Sequence, residues 1–150
     1  MIAFDTNILI YSVSSEDPSD RHSKSFDLIA AAAPVGGVVP LQVIGEFLNV
    51  CRQKKIVAPQ YALKRADEFL GGFECPETRP TDLLAAFGLA ERMLLQYFDA
   101  LIVGIARRAG ARILLSEDMH DGLEIDGLRI VNPFVGANET LLADYLGSFS

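Results

Sequence analysis

Residues 2–7 read Ile2-Ala3-Phe4-Asp5-Thr6-Asn7, three apolar residues that stop on a carboxylate. A short apolar run closed by polar residues is the pattern of a strand buried on both faces. The same pattern returns at Arg112-Ile113-Leu114-Leu115-Ser116, closed by Glu117-Asp118. Shorter versions stand at Val38-Val39 before Pro40, and from Leu128 to Val131. Between these runs the apolar spacing becomes helical. Leu41 to Lys55 is the clearest case, with Val43, Ile44, Phe47, Leu48, Val50 and Cys51 on one broad face and Arg52, Lys54 and Lys55 in the last turn, where they complement the helix dipole. Further helices are expected over His22 to Ala33, Gln60 to Leu70 (stopped by Gly71-Gly72), Asp82 to Leu95 (capped by Thr81), Asp99 to Ala109 and Asn138 to Leu146. Thr6 to Val13 reads as a short helix or turn, and Phe73 to Cys75 as a further short strand. Strands alternating with helices imply an α/β sandwich around a mainly parallel sheet. The length of 150 residues suits one domain spanning residues 1–150.

Composition narrows the function. Half the residues are apolar and 22% are charged, a globular balance. No apolar run approaches the roughly 20 residues of a membrane span. The opening residues lack a basic, cleavable leader, so a cytoplasmic location is expected. Cys51 and Cys75 form no CxxC pair and read as two reduced thiols. The net charge of −7 argues against nucleic-acid binding by a broad basic surface. It leaves room for a site where clustered carboxylates hold a divalent cation, which then faces phosphate, and it suits a basic protein partner.

Four carboxylates carry the chemistry. In a parallel α/β fold the site forms at the C-terminal ends of strands, and Asp5 and Asp118 both follow predicted strands. Glu46 lies among Ile44, Phe47 and Leu48, and Asp99 stands between Phe98 and Ala100-Leu101-Ile102-Val103. A carboxylate in apolar surroundings is costly without a partner, and a hard divalent cation such as Mg²⁺ or Mn²⁺ is one such partner. Each residue also has a plainer reading. Asp5 could simply cap the segment from Thr6, Glu46 could face solvent, and Asp99 could favour a helix N-terminus. Asp118 and Asp121 could be solvated turn residues.

Taken together these segments resemble a known family. Phe4-Asp5-Thr6-Asn7-Ile8-Leu9-Ile10-Tyr11 is similar to the opening of PIN domains. Pro40 to Asn49 with Glu46, Tyr97 to Ala106 with Asp99, and Leu114 to Met119 with Asp118 resemble their second, third and fourth acidic elements, in family order. Within the family the chain is most similar to the VapC-type ribonuclease toxins of VapBC toxin–antitoxin modules. The resemblance implies a three-layer α/β/α sandwich with a central parallel sheet and Mg²⁺- or Mn²⁺-dependent endonucleolytic cleavage of RNA. It implies Asp5, Glu46, Asp99 and Asp118 as the acidic site, a homodimer, and a small antitoxin whose basic C-terminal arm inhibits it. Ser116 stands where many members have Thr. Glu117 and Asp121 in the same loop leave the fourth ligand open, with Asp121 a further candidate for the metal.

On this reading Asp5 and Asp99 are the primary ligands, Glu46 binds metal through water or orients the nucleophile, and Asp118 completes the shell. Thr6, Asn7 and Ser116 support them by hydrogen bonds. RNA needs local positive charge, for which Arg52, Lys54, Lys55, Lys64 and Arg65 form one candidate group and Arg107, Arg108 and Arg112 another. Three other readings compete. A PIN-like nuclease of RNA maturation or decay would act without an antitoxin. A non-enzymatic acidic module would use its carboxylates for recognition. A phosphatase with Asp5 as nucleophile would want a later lysine, and none follows Lys64.

Overall fold

The computed structural model describes residues 1–147. Its sheet has five strands: β1 (Ile2–Phe4), β2 (Gly37–Val38), β3 (Ile113–Leu115), β4 (Glu124–Ile125) and β5 (Leu128–Val131), in the order β2-β1-β3-β5-β4. The first three and β5 run parallel, and β4 pairs antiparallel with β5. Every residue of β1 and β3 is buried. Successive side chains of a strand point to opposite faces, so both faces of the sheet are covered and the fold is an α/β/α sandwich.

The covering helices among the described residues are α1 (Thr6–Val13), α2 (Arg21–Ala32), α3 (Leu41–Lys54), α4 (Pro59–Gly72), α5 (Pro80–Met93), α6 (Tyr97–Arg108) and α7 (Glu139–Gly147). None is long and apolar enough to cross a membrane. One core joins Phe4, Leu9, Phe47, Phe69, Leu114 and Ile130 across the sheet. Cys51 is buried in it as a free thiol.

Several boundaries differ from the sequence expectation, each for a local reason. Gly71 and Gly72 lie inside α4 and do not end it, because Phe73 N–H still bonds back to Phe69 O. Helix α5 starts at Pro80, a residue whose missing N–H costs nothing in a first turn. Its entry is fixed by Asp82, which accepts from Arg79 N–H at 2.8 Å, and Thr81 is not its cap. The stretch at 73–75 contributes a single parallel bridge, Val38 to Glu74. Strand β4 is too short to show a period. It exists because Asp126 (φ 48°) and Gly127 (φ 90°) adopt the left-handed conformations of a two-residue hairpin turn.

Chain order puts the crevice in place. From β1 the chain moves to β2 on one side and returns later to β3 on the other. Ligand crevices in open α/β sheets form outside the carboxyl ends of strands at such a switch point. Here the register pairs Phe4 with Leu115, so the next residues, Asp5 and Ser116, emerge side by side.

Leu114 is fully buried at the centre of β3. Leu114→Ala is expected to cost about 2–5 kcal/mol of stability. Urea denaturation of the two proteins measures this directly, and a loss below 1 kcal/mol would contradict the packing described.

Candidate metal centre

The end of β1 builds the site. Asp5 N–H bonds to Leu115 O at 3.0 Å, which keeps Asp5 in the sheet while its side chain turns back to cap α1. One carboxylate oxygen, Oδ1, accepts from Thr6 N–H at 2.8 Å, and the other, Oδ2, accepts from the Ser116 hydroxyl at 2.8 Å. Capping and site membership are therefore the same geometry, not competing readings. Asp5 is only 7% exposed and Ser116 is fully buried.

The other carboxylates arrive on separate elements. Glu46, on the second turn of α3, accepts from Thr6 Oγ1 at 2.6 Å and from Gln42 Nε2 at 3.0 Å. Asp118 accepts from Asn7 Nδ2. Asp99 lies in the first turn of α6, where the exposed N–H groups favour negative charge. Among the described residues it accepts no hydrogen bond. Asp5, Glu46, Asp99 and Asp118 thus line one cleft of about 360 Å³, with Thr6, Asn7, Asn49, Val50, Phe98 and Ile102. Among the described residues no lysine or arginine lines it.

The loop after β3 offers three acidic groups and sends one to the cleft. Both oxygens of Glu117 are taken, by Tyr11 OH at 2.6 Å and Arg21 Nε at 2.6 Å. Asp121 Oδ1 accepts from Asn132 N–H at 2.9 Å and Asn138 Nδ2 at 3.0 Å, and Asp121 is not among the cleft residues. The candidate basic residues stand apart from the cleft. Arg52 and Lys55 border a separate apolar groove with Leu48, Val57 and Leu63. Arg107 and Arg108 are committed to Asp126 and Asp82.

Sequence reasoning missed Gln42, Asn49 and Phe98. Gln42 was the most accessible of these, since it sits four residues before Glu46 and so shares its helix face. The Arg21–Glu117 contact links residues far apart in the chain and leaves no spacing signal.

Electrostatics follow from this crowding. Burial pushes the Asp5 carboxyl up from 3.8 to about 6; bonds from Ser116 and Thr6 oppose the rise, and the charges of Asp99 and Glu46 add to it. Asp99 is also raised, by burial and then by Asp118 and Glu46. Among the described residues no three acidic, histidine or cysteine groups converge closely enough to hold an ion between them. The donor chemistry nonetheless fits a hard cation. The groups are oxygen donors, they repel one another, only neutral donors answer them, and Asp99 keeps both oxygens open.

A sign follows for stability. Between pH 3.8 and about 6 the folded Asp5 binds more protons than the unfolded one. Its contribution to stability therefore falls as pH rises through that window. In metal-free buffer, Asp5→Asn is expected to gain stability relative to wild type from pH 4 to about 6, then hold that difference. Parallel stability curves in urea titrations across pH would refute the raised value.

Comparison with known proteins agrees with this fold. No curated protein matches the sequence. Among solved structures, a toxin–antitoxin complex from Klebsiella pneumoniae superposes with TM-score 0.67 at 20% identity, covering 89% of this chain and 98% of that one. The sarcin–ricin loop-cleaving toxin VapC20 of Mycobacterium tuberculosis gives 0.64 at 18% identity, with 79% and 92% covered. VapBC2 of Rickettsia felis, bound to a DNA fragment from its promoter, gives 0.62 at 19% identity, with 88% and 98% covered. These identities speak for a shared fold. The PIN domain pattern itself matches residues 2–120, which include Asp5, Glu46, Asp99 and Asp118, and the chain belongs to the PIN domain family.

Proposed function

We propose that the protein is a Mg²⁺- or Mn²⁺-dependent endoribonuclease, acting as the toxin of a type II toxin–antitoxin pair. The observation that carries this is the cleft itself: four carboxylates and, among the described residues, no lining cation and an Asp99 that accepts no hydrogen bond. Asp5 and Asp99 would hold the metal, with Glu46 and Asp118 completing its surroundings. A bound divalent ion supplies positive charge towards phosphate and acidifies water. The chain's own task is orientation. Ser116 and Thr6 N–H fix the Asp5 carboxylate, Thr6 Oγ1 and Gln42 fix Glu46, and Asn7 holds Asp118. Glu46 would then orient the attacking water.

Two partners follow from the surface. An acidic cleft in a chain of net charge −7 suits the basic C-terminal arm of a small antitoxin. Membership of the PIN family and the toxin–antitoxin complexes among the structural neighbours support that choice. A second copy of the chain would cover the exposed apolar side chains of α5, where Leu84 is 78% and Phe87 is 66% exposed. RNA would be steered by Arg52, Lys54 and Lys55 at the end of α3, about 9 to 14 Å along the helix from Glu46.

Purified protein incubated with total RNA is expected to yield discrete fragments in Mg²⁺ or Mn²⁺ and none in EDTA. Asp5→Asn should abolish cleavage while the fold persists by circular dichroism, and a folded Asp5→Asn protein that still cuts would sink the assignment. Reversing charge at residues 52, 54 and 55 should flatten the salt dependence of cleavage, and an unchanged slope would remove that group from RNA binding.

A further inference from the structure

Three side-chain contacts join α1 and its N-cap to the loop after β3. Ser116 donates to Asp5, Asn7 donates to Asp118, and Tyr11 donates to Glu117. Asn7 and Tyr11 are four residues apart and share a helix face. The third contact is the most elaborate. Glu117 Oε1 accepts from the Tyr11 hydroxyl, and Oε2 accepts from Arg21 Nε at the start of α2. The Arg21 guanidinium lies over the rings of Phe134, at 5.0 Å, and Tyr11, at 5.9 Å. Those two rings meet edge to face at 5.4 Å. A charged hydrogen bond and a phenol thus converge on one carboxylate that lies outside the cleft, and two aromatic rings hold the guanidinium that makes the charged bond. Burial and the Glu117 contact push the Tyr11 phenol up to about 12, so it remains a donor at neutral pH.

We propose that Glu117 is a positioning residue: held by Tyr11 and Arg21, it fixes the 116–118 loop so that Ser116 stays on Asp5 and Asp118 stays at the cleft. Glu117 is placed between those two residues in sequence, so any swing of its backbone moves both neighbours. Its own oxygens are spent on the clamp, which leaves it no ligand role. The functional part of this inference rests on the cleft being the metal-dependent centre proposed above. The mechanical part does not.

The test uses the full-length protein and reads the two parts separately. Hydrogen exchange in metal-free buffer reports on the loop. Glu117→Ala is expected to accelerate exchange several-fold in the segment containing Ser116 to Met119, where Met119 N–H bonds to Ser116 Oγ at 3.3 Å. Calorimetric titration with Mn²⁺ reports on the site, and affinity is expected to fall about tenfold, the scale on which groups behind a ligand act. On an RNA substrate kcat should fall with KM unchanged, because Glu117 does not reach the substrate. Glu117→Gln keeps an acceptor for Tyr11 and gives up the ion pair, so its effects should lie between wild type and Glu117→Ala. Adding Tyr11→Phe to Glu117→Ala should do little more, since Tyr11 acts through Glu117. Unchanged loop exchange in a folded Glu117→Ala protein overturns the clamp. Faster exchange with wild-type Mn²⁺ affinity and kcat overturns its role in positioning. If wild type itself neither binds Mn²⁺ nor cuts RNA, the nuclease reading falls, and exchange alone decides the clamp.

Discussion

A carboxylate at the end of a buried strand must be answered by something, and Asp5 is answered by a backbone N–H and a serine hydroxyl. Both are neutral. They take one lone pair on each oxygen and leave its charge facing Glu46 and Asp99. That residual charge organises the cleft end of the molecule. The pairing of β1 with β3 places the serine, the cap on α1 places Thr6, and Thr6 in turn reaches Glu46 on α3. Through one side chain, two strands and two helices acquire a fixed mutual orientation.

The same arrangement explains why the site costs stability. Burial raises the Asp5 carboxyl, and the nearest charges are negative. Removing a buried charge's repulsion usually stabilises a fold, and strained electrostatics of this kind gather at working sites. The large core below, from Phe4 to Ile130, supplies the stability that the cleft gives up.

Much of this was legible in the sequence, for definable reasons. Ile2-Ala3-Phe4 and Ile113-Leu114-Leu115 are apolar at every position, and only a strand covered on both faces demands that. Asp5 and Asp118 directly follow such strands, and Glu46 and Asp99 interrupt apolar helices, so the four carboxylates announced themselves by local misfit. The structure brings them to one cleft. Asp121 offered the same local signal as Asp118 and goes elsewhere, to Asn132 and Asn138, because the direction of a loop side chain depends on tertiary neighbours. Arg21 was invisible for a related reason: its partner lies on the far side of the fold in sequence. Strand β4 escaped notice because two residues cannot show a period, although Asp126-Gly127 is a hairpin signature.

The two margins of the sheet have a consequence for how any other molecule can engage this one. The outer strands, β2 and β4, are two residues long, and β2 is further closed by its bridge to Glu74. A partner that recruits targets by adding its own strand to an open sheet finds almost no ladder to extend. Self-stacking through those margins is suppressed in the same way. Recognition is therefore left to side chains on helices and to the cleft. A binding partner of this domain is better sought among helical or extended segments that read a surface than among strand-donating ones.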